Sequence, residues 1–109
     1  MNSVEAFDLL ATTVLLLNQS GEVAEANAAA EMMFGRSRRT LIGLPAAHLF
    51  ERDSALEQSF RQACAGDVDD CRQFARTRRG TDSVEVGVTS IALAGRPWAA
   101  LIEVKDIEQ

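Results

Sequence analysis

Val23-Ala24-Glu25-Ala26-Asn27-Ala28-Ala29-Ala30-Glu31-Met32-Met33-Phe34-Gly35 is the stretch on which the fold turns. Its first four residues read as a short strand. Asn27 is a strong N-cap residue, whose side-chain oxygen can accept from the backbone N–H groups that open a helix. Ala28 to Phe34 is a run of good helix formers. Gly35 stops it, because glycine readily takes the left-handed conformation that closes a helix. A strand thus passes into a helix with no linker between them.

Upstream, Thr13 to Asn18 has the length and apolar character of a strand, and Gln19-Ser20-Gly21-Glu22 reads as a turn. Residues 13–26 are therefore predicted to form a β-hairpin. Further back, Val4, Phe7, Leu10 and Ala11 share one face at helical spacing, and Asn2 and Glu5 stand three apart as in a capping box. That pattern predicts an N-terminal helix over 3–12.

Downstream, Ser37 caps a second helical turn that is anchored by Leu41 and Ile42 and stopped by Gly43. Pro45 forces a break, and Leu49 and Phe50 anchor a loop segment. Asp53 or Ser54 caps a longer helix ending near Gly66, with Leu56, Phe60, Ala63 and Cys64 as its apolar stripe. The period then changes. Cys71 to Thr77, Ser83 to Leu93 and Trp98 to Ile107 read as strands, with turns at Arg79-Gly80-Thr81-Asp82 and Ala94-Gly95-Arg96-Pro97. A hairpin, a block of short helices and a three-stranded meander predict an α+β domain. Its economical form is a five-stranded antiparallel sheet with the helices packed on one face. Apolar residues on both sides of the last strand imply that the second face is also partly covered, by the first helix or by a second copy of the chain.

Composition narrows the function. The chain has 109 residues, enough for one domain. Sixteen acidic residues against eleven basic ones leave a net charge of −5. That balance argues against nucleic acid, where binding is dominated by phosphate neutralisation, and against an anionic membrane surface. The longest wholly apolar run, Val14 to Leu17, is far short of the roughly 20 residues that span a bilayer. The start of the chain has no positive n-region and no apolar h-region, so a cytoplasmic location is expected. All the basic residues but Lys105 are arginine, which suggests a GC-rich bacterial genome.

Several of these segments together resemble a known family. The stretch from Leu9 to Phe50 is similar to the first half of a PAS domain. The matching features are Thr13-Val14-Leu15-Leu16-Leu17-Asn18, the Ser20-Gly21-Glu22 turn, Asn27-Ala28-Ala29-Ala30-Glu31, Phe34-Gly35, Leu41-Ile42-Gly43 and Leu49-Phe50. Val104-Lys105-Asp106-Ile107 resembles the end of the last PAS strand, where the family often passes into a signalling helix. Within the family the pattern looks most like the N-terminal PAS domain of nitrogen-regulation sensor histidine kinases. The resemblance implies one PAS domain over 1–109, with its core at 13–107. It implies a dimerisation and signal-relay module of a bacterial two-component histidine kinase, with the effector in the same chain and no catalysis by the domain itself. The alternative is a metabolite-binding PAS sensor of another effector, such as a transcription regulator or a cyclic-dinucleotide enzyme.

The chemistry-bearing residues are few. Asn27 reads foremost as a structural cap. Haem-binding PAS domains usually supply their axial histidine from the long helix. The one histidine here, His48, falls before that helix, and no second ligand accompanies it. The cysteine motif of flavin-binding light sensors is missing, since Asp53-Ser54-Ala55-Leu56-Glu57-Gln58 stands in its place. Cys64 and Cys71 do not have CxxC spacing and read as packing residues; an enzyme using the Cys64 thiol is the outside possibility. No cofactor and no metal are expected. Met33, Phe60, Phe74 and Trp98 are candidates to line a ligand cavity, with Ser59, Thr89 and Ser90 as weak polar partners, although ordinary core packing is the better reading of them. Phe7 and Leu10 are candidate homodimer contacts. Two arginine clusters, Arg36, Arg38 and Arg39, and Arg76, Arg78 and Arg79, read as solvated surface ahead of an anion site, able to meet an acidic face of another subunit or domain.

Overall fold

The computed structural model describes residues 12–78, 83–92 and 94–107. Strands β1 (Thr13–Asn18) and β2 (Val23–Ala26) form the predicted hairpin. Gly21, at φ 80°, supplies the left-handed residue its turn needs. Helix α1 (Ala28–Phe34) follows at once, with Asn27 as its N-cap and Gly35, at φ 63°, as its C-cap. Helix α2 (Arg38–Leu41) is capped by Ser37. The segment read from sequence as a loop after Pro45 is instead a 3-10 turn, Ala46–Leu49. Four residues are too few for helical periodicity to register, and Ala46 and Leu49, three apart, bury one face of it. Helix α3 (Ser54–Cys64) starts where Asp53 accepts from the Leu56 N–H. Strands β3 (Cys71–Arg76), β4 (Ser83–Ser90) and β5 (Trp98–Asp106) complete the sheet.

The sheet is five-stranded and antiparallel, in the order β2-β1-β5-β4-β3. The longest strand, β5, lies at its centre and joins the hairpin to the meander. Leu15, Leu17, Val84, Val86, Val88, Ala100, Ile102 and Val104 point to the helices and build one core with Phe34, Leu41, Phe50, Leu56 and Phe60. Strand alternation sends Val14, Leu16, Ala99 and Leu101 to the far face. The first three are buried although no described helix lies there. The expected cover, a helix over 3–12, falls outside the described residues except for Thr12, which is in a bend.

The connection between β2 and β3 fastens both margins of the sheet. At β2, the Val23 N–H donates to the Leu44 carbonyl and the Gly43 N–H donates to the Val23 carbonyl. At β3, Phe50 bridges Thr77, the Glu51 N–H donates to the Arg76 carbonyl, and the Arg78 N–H donates to the Leu49 carbonyl.

Candidate functional site

Asn27 sits at the joint between sheet and helices and is fully buried. Its Oδ1 accepts from the Ala30 N–H and from the Val14 N–H, both at 3.1 Å. Its Nδ2 donates to the Thr12 carbonyl at 2.7 Å. One side chain therefore caps α1 and also holds β1. An amide can do this because it carries both an acceptor and a donor.

Between the helices and the sheet the space is filled by aromatic rings. Phe50, fully buried, meets Phe34 edge-on at 5.7 Å and Phe60 at 5.9 Å. The four residues expected to line a cavity are spread across the molecule. Phe60 is in the core and Met33 is half-buried against it. Phe74 is 66% exposed on the far face, because Cys71, Gln73 and Ala75 take the inward positions of β3. Trp98 lines a separate cleft beside α3, with the Arg96 guanidinium 5.1 Å from its ring. The strand period places Phe74 opposite Phe60, and no core rearrangement short of a register slip would unite them.

The polar candidates serve packing. Ser59 Oγ donates to Gln73 Oε1 at 3.1 Å. Ser90 Oγ donates to the Ala63 carbonyl at 2.7 Å and accepts from the Val68 N–H at 3.0 Å, tying the end of α3 to β4. Thr89 pairs with Leu101 on the far-face register. Cys64 and Cys71 are free thiols, both half-buried. Burial pushes the Cys64 thiol up, partly offset by the Gly21 backbone N–H. Among the described residues no group of three or more His, Cys, Asp or Glu side chains is placed to hold a metal ion. No described helix is long and apolar enough to cross a membrane. Phe7 and Leu10 lie outside the described residues.

Three dispersed segments do converge. The end of α1, the 3-10 turn and the chain leaving β3 enclose a cleft of about 320 Å³ lined by Phe34, Gly35, Arg36, His48, Leu49 and Arg78. The two arginine clusters, some forty residues apart in sequence, each send one member to it. Sequence reading marked the clusters but not their meeting, which depends on the Arg78 N–H bond to the Leu49 carbonyl.

A family model described as the PAS fold matches residues 4–98. The chain belongs to the PAS family. Solved PAS structures agree in fold. The PAS domain of nitrogen regulation protein NR(II) from Vibrio parahaemolyticus is 20% identical, with 98% of this chain and 99% of that one covered, at a TM-score of 0.73. The photoactive yellow protein domain of the sensor histidine kinase Ppr from Rhodospirillum centenum is 21% identical over 97% and 94%, at 0.71. The PAS domain of a LuxR-family transcriptional regulator from Burkholderia thailandensis, in complex with ethanol, is 16% identical with both chains fully covered, at 0.71. No curated protein matches the sequence. This PAS domain is thus a sensory module by family, and Asn27 and the aromatic row are parts of its scaffold.

Proposed function

We propose that this PAS domain, spanning 1–109 with a flanking helix at 3–12, is the dimerisation and signal-relay module of a bacterial, cytoplasmic sensor histidine kinase of the nitrogen-regulation type. The observation that carries the reading is the position of β5. It pairs with β1 on one side and β4 on the other, and its inward residues Ala100, Ile102 and Val104 belong to the core under the helices. A shift in helix packing therefore bears on the strand that ends at Asp106, where an effector in the same chain would attach. Phe7 and Leu10 are proposed as homodimer contacts, because a short amphipathic helix must bury its apolar face to persist. The similarity to the NR(II) domain supports the kinase assignment.

A second reading, a metabolite-binding sensor of a transcription regulator, is favoured by the ethanol-bound LuxR-family neighbour. The test is made on the full natural protein. ATP-dependent phosphorylation of a histidine, altered when Phe50 is replaced by Ala, supports the kinase reading. Absence of any phosphorylated histidine overturns it, and DNA binding by the same protein favours the second. Sedimentation of the Phe7→Ser, Leu10→Ser double variant as a monomer beside a dimeric parent supports the contacts, and an unchanged dimer refutes them.

A further inference from the structure

We infer that the cleft formed by Phe34, Gly35, Arg36, His48, Leu49 and Arg78 binds a small organic anion, a carboxylate carried on a compact apolar body. The lining residues include two arginines and a histidine and no acid, in a chain whose net charge is −5. Two other arginines are neutralised. Arg38 is bound to Glu25, and Arg72 reaches Asp70, Glu85 and Glu103. Arg36 and Arg78 make no ion pair with any described carboxylate. Glu31, the acid nearest Arg36 in sequence, spends its carboxylate on the Arg38 backbone N–H at 2.8 Å. The adjoining cleft shares His48 and Arg78 and adds Arg52 together with Glu51 and Glu57, so positive charge is least compensated on the Arg36 side.

The positions are held by backbone bonds. The Arg36 N–H donates to the Glu31 carbonyl, the His48 N–H to the Pro45 carbonyl, and the Arg78 N–H to the Leu49 carbonyl. The two arginines and the histidine thus ride on fixed backbone anchors from three elements. The floor is apolar: Phe34 and Leu49 are each only 4% exposed. Gly35 has no side chain to obstruct the mouth. An inorganic anion would leave that floor unused, whereas a carboxylate on an apolar body would meet both features. Guanidinium forks suit a carboxylate because they offer paired N–H donors in one plane. The volume falls at the lower end of small-molecule sites, about 300–1,000 Å³. As a binding event the inference is independent of the effector; as a signal input it rests on the sensory reading above.

The test is a titration of the ¹⁵N-labelled domain, read on its backbone amides, with three probes. Benzoate has the charge and the body, benzylamine the body with opposite charge, and inorganic phosphate the charge without the body. The expected result is a saturable benzoate response centred on Gly35, Arg36, His48, Leu49 and Arg78. Benzylamine should give none there, and phosphate should bind at least tenfold more weakly. The Arg36→Gln, Arg78→Gln double variant should lose tenfold or more in benzoate affinity with its other amides unmoved, while Arg96→Gln keeps it. A benzoate response that is absent, spread over the surface, equalled by phosphate or retained in the double variant overturns the inference. Local binding without any change in effector output leaves the cleft intact and refutes the sensory role instead.

Discussion

Replacing Asn27 by Ala should be the most damaging change at a polar position. The Val14 N–H is in a buried strand and accepts no substitute for Oδ1 from water, so its orphaning costs about 1–3 kcal/mol. The Ala30 N–H keeps a second acceptor, the Asn27 carbonyl at 3.0 Å, so losing the cap adds only about 1 kcal/mol. The Thr12 carbonyl is partly open to solvent and adds little. The sum is about 3 kcal/mol, a large share of the roughly 5–15 kcal/mol that holds a domain folded. At this size it corresponds to a fall in melting temperature of roughly 10–20 °C. Urea denaturation followed by circular dichroism measures the loss directly. Asn27→Ser separates the two roles, since a serine hydroxyl can cap α1 but is too short to reach Val14. It should recover about 1 kcal/mol and no more. Hydrogen exchange at the Val14 amide should quicken in both variants. An Asn27→Ala variant within 1 kcal/mol of the parent, or complete rescue by Ser, would refute the claim that this side chain holds strand and helix together.

Phe50→Ala removes the central ring of the aromatic row and should cost about 3–5 kcal/mol, read by the same denaturation; a smaller loss would mean that Phe34 and Phe60 close the gap. Ser90→Ala orphans the Val68 N–H, while the Ala63 carbonyl keeps the Gly66 N–H, and should cost about 1–3 kcal/mol, with faster exchange at Val68. The Cys64 thiol, raised by burial, should react with iodoacetamide more slowly than free cysteine at equal pH and regain the normal rate in urea. Since its folded pKa lies above the unfolded one, its contribution to stability is complete below the ordinary thiol pKa. It is lost as pH climbs through the raised value, so Cys64→Ser should flatten the alkaline limb of the stability profile.

Local chemistry was legible in the sequence wherever a single residue type imposes a backbone event. Asn27, Gly35, Ser37 and Asp53 mark helix ends, and the hairpin strands Thr13–Asn18 and Val23–Ala26 have the predicted bounds. The later strands end one to three residues sooner than their apolar patterns suggest, because pairing stops before hydrophobicity does. The 3-10 turn is too short to announce itself. What the sequence withheld was long-range: the pairing of β1 with β5, the outward direction of Phe74, and the approach of Arg36 to Arg78. Each depends on how distant strands align, and no local pattern encodes that alignment. The expected cavity lining illustrates this. It grouped large side chains by type, whereas helix α3 holds Phe60 in the core and the parity of β3 turns Phe74 to the far face of the sheet.

The fastening of both sheet margins by the β2–β3 connection bears on how copies of this domain meet. An open strand border is a template for uncontrolled growth into fibres. Here Val23 has already committed its N–H to Leu44 and its carbonyl to Gly43, and the tail of β3 is occupied by the segment around Phe50. Lateral extension at the β2 border would first have to peel that belt away. Any pairing between copies is thereby turned away from the β2 border.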